Sequence, residues 1–164
     1  MSYNGEENIM APITGPLSGE AKSTVAECLQ GTLVDLIDLS LVAKQMHWNI
    51  VGTNFRSVHL QLDELVSLAR EHADTVAERA AALGINPDGR SSTLAKNTKL
   101  AQPENGWIED GKVVATVADI LDGIGRRLRE RIEATEEPDP ASQDILIAIA
   151  QDIDKERWMF QAQR

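Results

Sequence analysis

Hydrophobic residues recur every three or four positions along most of this chain, which is the spacing of one face of an α-helix. The first such run covers residues 25–47, and a second covers residues 55–83. Between them, residues 49–54 break the pattern and predict a turn. Gly84 and Pro87 follow the second run, as expected where a helix ends.

The second half of the chain predicts two more helices after a long connection. Residues 85–110 contain two prolines and two glycines, with a possible short helix at 91–98. The third helix is predicted at 111–135 and the fourth at 140–163, with Asp139 as its N-cap. No segment alternates with period two over the length of a strand. The prediction is an all-α four-helix bundle with a long crossover between helices 2 and 3, the topology of ferritin-like bundles.

Composition adds a terminal tail and an acidic surface to this bundle. Residues 1–19 are rich in proline and glycine and are interpreted as a flexible N-terminal tail, which leaves 20–164 as one domain. The chain has 26 acidic and 16 basic residues, for a net charge of −10. This charge repels nucleic acid and anionic lipid unless basic residues cluster locally, and it can attract cations.

The sequence also favours a cytoplasmic protein with no membrane partner. No apolar run approaches the roughly 20 residues that span a bilayer, and no signal peptide is recognisable. The lone Cys28 lies within an apolar helical pattern, which fits a reducing compartment and a small buried side chain.

Two of the three histidines occur with carboxylates at helical spacing. His59 and Asp63 lie four residues apart on the second helix and share a face. Asp74 and Glu78 are also four apart on that helix. His47 lies near the end of the first helix, and the number of residues between it and the centre of the turn is the same as for His59. We therefore expect the two imidazoles at the same height of an antiparallel hairpin.

A metal centre built from these groups needs two copies of the chain. Asp63 and Asp74 are separated by roughly 16 Å along a helix, whereas metal–ligand bonds are on the order of 2 Å. If two copies of the second helix pair antiparallel about a two-fold axis, His59 meets the partner's Glu78 and Asp63 meets the partner's Asp74. Leu65, Leu68 and Ala69 are then expected at the apolar centre of the interface.

Imidazole with carboxylate suits Fe(II) and leaves positions open for an oxidant. We expect nitrogen ligation by His47 and His59 and oxygen ligation by the partner's Asp74 and the partner's Glu78. Asp63 either binds a second, weaker ion or orients a histidine. The alternative is that these residues are solvated helix charges around a core histidine. Trp48 either accepts oxidising equivalents or, as is more usual for an indole, packs in the core or at an interface. Trp107 and Trp158 are interpreted as packing residues. His72 is interpreted as a surface or interface residue.

These residues resemble the Dps family, the DNA-binding proteins from starved cells, also called mini-ferritins. The family signature is a Lys-x-x-His-Trp-Asn stretch, then Gly-x-x-Phe, His-x-x-x-Asp and Asp-x-x-x-Glu-Arg, and all four parts are present at the family's intervals. The matching positions are Lys44, His47, Trp48 and Asn49, then Gly52 and Phe55, then His59 and Asp63, and finally Asp74, Glu78 and Arg79. The resemblance extends over residues 20–164.

The resemblance implies a hollow dodecamer with ferroxidase sites at its two-fold interfaces. It implies that Fe(II) is oxidised there, with hydrogen peroxide as the preferred oxidant, and that ferric mineral collects inside. The implied iron ligands are His47, His59, Asp63, Asp74 and Glu78, and zinc is a possible substitute. Acidic pores near the start of the fourth helix are also implied, with Glu137, Asp139 and Asp144 as candidates.

The leading hypothesis is therefore an iron-oxidising, iron-storing cage that protects against peroxide, and two alternatives stay open. One is a nucleoid-compacting protein that binds iron incidentally. It is disfavoured because residues 1–24 contain a single basic residue, Lys22. In addition, the arginine cluster at 126–131 is expected to pair with acidic residues of its own helix. The other alternative is a zinc-bound helical dimer without redox activity.

Overall fold

Four long helices form the protein, as the hydrophobic pattern predicts. The computed structural model describes residues 13–164, and the predicted all-α bundle is confirmed. The helices are α1 (Gly19–Asn49), α2 (Phe55–Ala82), the short α3 (Ser91–Asn97), α4 (Asp110–Thr135) and α5 (Pro140–Gln161). Each long helix begins and ends within a few residues of the predicted bounds, apart from α1, which starts six residues earlier.

The long connection lets α2 and α4 run parallel. Asp35 of α1 pairs with Arg127 and Arg131 of α4. Residues 50–51, just after the end of α1, pair with residues 108–109, just before the start of α4. Helices α1 and α4 are therefore antiparallel. Since α1 and α2 form an antiparallel hairpin, α2 and α4 share a direction, as in the predicted topology.

Two short strands join the hairpin turn to the end of the crossover. Strand β1 (Ile50–Val51) and strand β2 (Ile108–Glu109) are parallel, with Ile50 opposite Ile108. Two residues are too few to show an alternating pattern in a sequence. Gly52 follows β1 with φ of +130°, and a Cβ there would lie 2.6 Å from the Asp110 carboxyl carbon. Only glycine fits this turn.

The core contains the predicted apolar stripes of all four long helices. Leucine, valine and isoleucine predominate, and many of these side chains are fully inaccessible to solvent; examples are Leu29, Leu62, Leu121, Ile153 and Phe160, each 0% exposed. A side chain of this size stabilises a fold by about 1.5–3 kcal/mol when it is fully buried.

Several aromatic and aliphatic residues do not lie where they were expected. Trp107 and Trp158 are 76% and 64% exposed, so the prediction that they pack is wrong for the single subunit. Trp48 is 63% exposed, so its indole does not pack into the core formed by residues 13–164. Leu65 and Ala69 are 0% exposed within their own subunit and cannot reach a partner. The predicted apolar centre of the two-fold interface is therefore wrong for these two residues; Leu68 is partly buried against the same core.

The arginine cluster of α4 is largely engaged with other helices. Arg126 pairs with Asp122 four residues earlier, as expected. The prediction is wrong for the other three arginines: Arg127 and Arg131 reach across to Asp35 of α1, and Arg129 reaches Asp154 of α5. Periodicity within one helix cannot reveal a partner on another helix.

The described part of the N-terminal segment lies against the bundle. The carbonyl oxygen of Ile13 approaches Gly84, whose φ is +67° just after α2, and Leu17 packs against the core. Residues 1–12 of the predicted tail lie outside the described residues, so the division into tail and domain stays a prediction. None of the described helices combines the length and the apolar character that crossing a membrane requires.

Candidate metal centre

The two predicted histidines meet where α1 ends and α2 begins. His47 lies in the last turn of α1, and His59 lies in the second turn of α2. Their rings stack with centroids 3.6 Å apart and planes inclined by 20°. Phe55 lies beside them, with its ring centroid 5.0 Å from that of His59. The hairpin therefore brings the imidazoles to one height, as their symmetric spacing about the turn predicts.

Each histidine is oriented by the backbone of the other. The Nδ1 of His47 lies 2.8 Å from the carbonyl oxygen of His59, and the Nδ1 of His59 lies 2.9 Å from the carbonyl oxygen of His47. A carbonyl oxygen only accepts hydrogen bonds, so each Nδ1 carries the proton and donates it. In this tautomer a neutral ring has an unprotonated Nε2, the form that ligates a metal. Neither Nε2 has a hydrogen-bond partner within residues 13–164.

Asp63 lies beside the imidazoles and is held by a lysine. Its Oδ1 is 3.6 Å from Nδ1 of His47 and accepts a short hydrogen bond from the ammonium of Lys44. This hydrogen bond and the charge of Lys44 lower the pKa of Asp63 below its ordinary value, against the opposing effect of burial. The carboxylate is therefore ionised and available to a cation. Lys44 was part of the family motif, but the prediction gave it no role.

Asp74 and Glu78 lie elsewhere on the subunit, exposed on α2. The eleven residues from Asp63 to Asp74 correspond to roughly 16 Å of helix. Within residues 13–164 no three histidine, cysteine, aspartate or glutamate side chains converge where they could hold a metal ion. One subunit thus supplies two separated halves of the predicted ligand set: imidazoles with one carboxylate, and a carboxylate pair.

The three pore candidates differ in their surroundings. Glu137 and Asp144 are exposed. Asp139 is buried and binds the hydroxyl of Ser142 at 2.5 Å and the guanidinium of Arg79 at 2.7 Å. Burial alone would raise the pKa of Asp139, but the hydrogen bonds from Ser142 and Arg79 outweigh it and hold the pKa below its ordinary value. Asp139 therefore has a structural partner that the exposed candidates lack.

A second polar cluster, which we call the α2–α5 seam, contains Glu64 and His72 of α2 with Asp152 and Glu156 of α5. The Nε2 of His72 lies 2.9 Å from a carboxylate oxygen of Asp152. Glu156 is 8% exposed, and its Oε2 has no hydrogen-bond partner among residues 13–164. Burial raises the pKa of Glu156, and the charges of Glu64 and Asp152 raise it further against the opposing effect of Lys155. Sequence reasoning missed this seam because its members lie on two helices eighty residues apart.

Comparison with known proteins agrees with this architecture. A ferritin-like domain model matches residues 26–164. The DNA protection during starvation protein of Mycolicibacterium smegmatis is 38% identical over 149 residues, covering 89% of this chain and 80% of that protein. Its counterpart in Agrobacterium fabrum is 36% identical over 155 residues, covering 89% and 91%.

Solved structures give the same result. DpsA14 from Streptomyces coelicolor superposes with a TM-score of 0.87 at 31% identity, over 93% of this chain and 91% of that one. Dps from Microbacterium arborescens, in its high iron form, superposes with a TM-score of 0.85 at 34% identity, over 92% and 97%. The resemblance seen in the sequence motifs is confirmed: the chain belongs to the Dps family of ferritin-like proteins.

Proposed function

We propose that this protein oxidises Fe(II) at centres shared between two subunits and stores the ferric product inside a hollow dodecamer. The supporting observation is the stacked pair His47 and His59, in which both Nδ1 atoms donate to backbone carbonyls. Neither Nε2 has a partner in the described part of the chain. Backbone-fixed imidazoles beside the ionised Asp63 suit a ferrous ion. The family supports iron storage in general, and the Microbacterium arborescens relative is described in a high iron form.

The missing ligands come from a second subunit in this proposal. The partner's Asp74 and the partner's Glu78 complete each centre, and two-fold symmetry makes two identical centres per dimer. The apolar surface next to the histidines favours this arrangement. Trp48 and Leu41 of α1, with Phe55 and Leu60 of α2, are 63%, 51%, 44% and 45% exposed. They replace the buried Leu65 and Ala69 as the proposed apolar part of the interface.

Hydrogen peroxide is the proposed oxidant, and protection from it is the proposed benefit to the cell. Two ferrous ions each give one electron to one peroxide, which takes up two protons and leaves as two waters. Both electrons are delivered within one centre, so no hydroxyl radical is released. In this reaction His47 and His59 bind iron, Asp63 holds the second ion, and Trp48 beside His47 packs at the interface or donates an electron.

Cations reach the interior through acidic pores in this proposal, with Glu137 and Asp144 as the exposed candidates. Rings of such carboxylates would concentrate cations at the pore. Asp139 is the weaker candidate because it is already bound to Arg79.

Subunit mixing tests the shared centre directly. A variant with His47→Ala and His59→Ala keeps its acids, and a variant with Asp74→Ala and Glu78→Ala keeps its histidines. Each alone should lose peroxide-driven Fe(II) oxidation in stopped-flow absorbance. A mixed dimer contains one intact centre and one empty centre, so statistical reassembly at equal amounts should restore about a quarter of wild-type centres. If mixing restores nothing although native mass spectrometry detects mixed dimers, the centre is not shared in this way.

DNA binding is the second candidate function, suggested by the names of relatives such as the DNA protection during starvation protein of Mycolicibacterium smegmatis. The described surface does not favour it, because Arg126, Arg127, Arg129 and Arg131 all pair with carboxylates. A gel shift at low salt tests it: DNA retention that is lost on Arg126→Gln would support a phosphate contact.

The redox-inactive zinc dimer is tested by metal analysis of the protein after aerobic iron loading. Zinc as the only bound metal would support that alternative.

A further inference from the structure

A cavity of about 560 Å³ lies between α1, the crossover that follows α2, and the C-terminal half of α4. Its volume is within the range of about 300–1,000 Å³ that small-molecule sites occupy. Ala26, Val34 and Ile85 give it apolar surface, and Arg127 and Arg131 give it charge. None of the proposed iron ligands lines this cavity, so the proposed function leaves it unexplained.

Two hydrogen bonds hold one wall of the cavity in place. The side-chain amide of Gln30 on α1 donates to the carbonyl oxygen of Asp88 at 2.8 Å and accepts from the backbone N–H of Asp88 at 2.9 Å. The crossover is therefore fastened to α1 beside the cavity. A ligand that enters a wall already formed does not have to order a loop, which lowers the cost of binding.

The two guanidinium groups lie side by side and retain unused donors. Both donate to Oδ2 of Asp35, Nε of Arg127 at 3.0 Å and Nη1 of Arg131 at 2.8 Å. The nitrogens left over, Nη1 of Arg127 and Nε and Nη2 of Arg131, have no acceptor among residues 13–164. Solvent reaches these nitrogens. One carboxylate thus neutralises only one of the two arginines, and donors remain for a second anion.

A glycine in the middle of α1 makes room for this arrangement. A Cβ at Gly31 would lie 2.8 Å from Nη2 of Arg131, so any larger residue would displace the guanidinium. Glycine inside a helix costs about 0.5–1 kcal/mol relative to alanine. The close approach of Arg131 to α1 explains why a glycine occupies this position.

The charge of the lining differs from that of the chain. Besides the two arginines and Asp35, the exposed Lys99 and Glu27 contribute charges to the lining. Three basic and two acidic side chains give one net positive charge, on a chain whose net charge is −10. A positive cavity on an acidic protein selects for an anion.

We propose that this cavity binds a small organic carboxylate with an apolar body. The carboxylate lies against Arg127 and Arg131, because the planar fork of a guanidinium matches a carboxylate with two parallel hydrogen bonds. The apolar body lies against Ala26, Val34 and Ile85. Binding here does not depend on iron oxidation, and the double variant His47→Ala with His59→Ala should bind the carboxylate as the wild type does.

Binding of 1-naphthoate to the assembled protein tests the proposal, with 1-naphthamide as the uncharged control ligand. Isothermal titration calorimetry should give one naphthoate site per subunit. The amide should bind at least roughly tenfold more weakly, because it lacks the charge that strengthens hydrogen bonds to the arginines. Inorganic phosphate has charge but no apolar body and should compete only weakly. Displacement by phosphate at concentrations equal to those of naphthoate would overturn the proposed class of ligand.

Two variants test the position of the site. Arg131→Gln should weaken naphthoate binding by at least roughly tenfold. Its matched control is Arg126→Gln, which removes the same charge from an exposed position of the same helix outside the cavity. Ala26→Phe leaves the ion pairs of Asp35 intact and fills the cavity with a ring, so it should abolish binding even if Arg131→Gln does not assemble.

Three results would overturn the proposal. The first is a wild-type protein that binds no naphthoate. The second is naphthamide binding as tight as that of naphthoate. The third is a loss of affinity in Arg126→Gln as large as in Arg131→Gln, or unchanged affinity in an assembled Ala26→Phe variant.

Discussion

Two of the polar regions in this bundle, the Asp35 cluster and the stacked histidines, differ in whether one subunit satisfies them. The carboxylate of Asp35 is 2% exposed and receives bonds from both Arg127 and Arg131, at 2.9 and 2.8 Å. Its two oxygens are both engaged, and the pairs tie α1 to α4. The stacked histidines between the end of α1 and the start of α2 instead leave both Nε2 atoms without a partner among the described residues.

The difference separates structure from function. A buried charge that its own chain satisfies completely belongs to the fold, since folding needs nothing else there. A set of fixed donors or ligands that its own chain leaves incomplete requires another molecule. Trp48 and Phe55, beside the histidines, are exposed, and in the function proposed above that molecule is a second subunit with a metal ion between the two.

The largest effect is expected where the Asp35 cluster is broken. Asp35→Leu leaves two partly buried guanidinium groups without their carboxylate, and breaking a buried pair in this way costs about 3–5 kcal/mol. Denaturant unfolding followed by circular dichroism should show this loss, while the stacked histidines, remote in the hairpin, should still bind Zn²⁺ if the variant assembles.

An exposed pair provides the control. Arg126 pairs with Asp122, and its side chain is 73% exposed, so Arg126→Gln should change the free energy of unfolding by less than about 1 kcal/mol. Equal losses for Asp35→Leu and Arg126→Gln would mean that burial does not distinguish the two ion pairs, and the comparison would fail.

Metal binding should stabilise only the incomplete region. At a hundredfold excess over its dissociation constant, a ligand of the folded state adds about 2.7 kcal/mol of stability. Zn²⁺ should therefore raise the unfolding temperature of the wild-type protein, and much less that of Asp74→Asn with Glu78→Gln, which lacks the carboxylate half of the shared centre. Glu130→Gln with Glu133→Gln, which removes two exposed acids from α4, should respond as the wild type does. An identical response in both double variants would contradict ligation by Asp74 and Glu78.

The sequence predicted those features that depend on spacing along one helix or about one turn. The four helices follow from apolar periodicity, and the meeting of His47 and His59 follows from their equal distances to the turn. Asp74 and Glu78 were correctly expected to be far from the histidines of the same subunit, because helical rise alone fixes that separation.

Features that depend on how helices are rotated against each other could not be predicted. Leu65 and Ala69 fit an apolar stripe, but the stripe does not say whether it faces its own core or a partner. Nothing in the sequence around Asp35 distinguishes it from a solvent-exposed helical acid, because its partners, Arg127 and Arg131, are on α4. His72 had no partner at helical spacing, since Asp152 reaches it from α5.

The smallest effect is expected at Lys44, which pairs within its own subunit with Asp63, a residue beside the incompletely satisfied histidines. The ammonium of Lys44 satisfies Asp63 within the subunit and lowers its pKa. A lowered folded-state pKa adds stability above the ordinary pKa of aspartate, and this contribution is lost as the pH falls through the folded-state value. In Lys44→Met the pKa of Asp63 should therefore rise towards its ordinary value, and less stability should be lost between pH 5 and more acidic conditions. A ¹³C NMR titration of the aspartate carboxyls measures the pKa. Lys112→Met is the control, since Lys112 pairs with Glu104 and not with an aspartate in the described structure. Because Asp63 is half exposed, solvent screening keeps the change in stability small. An unchanged pKa would mean that Lys44 does not hold Asp63 ionised.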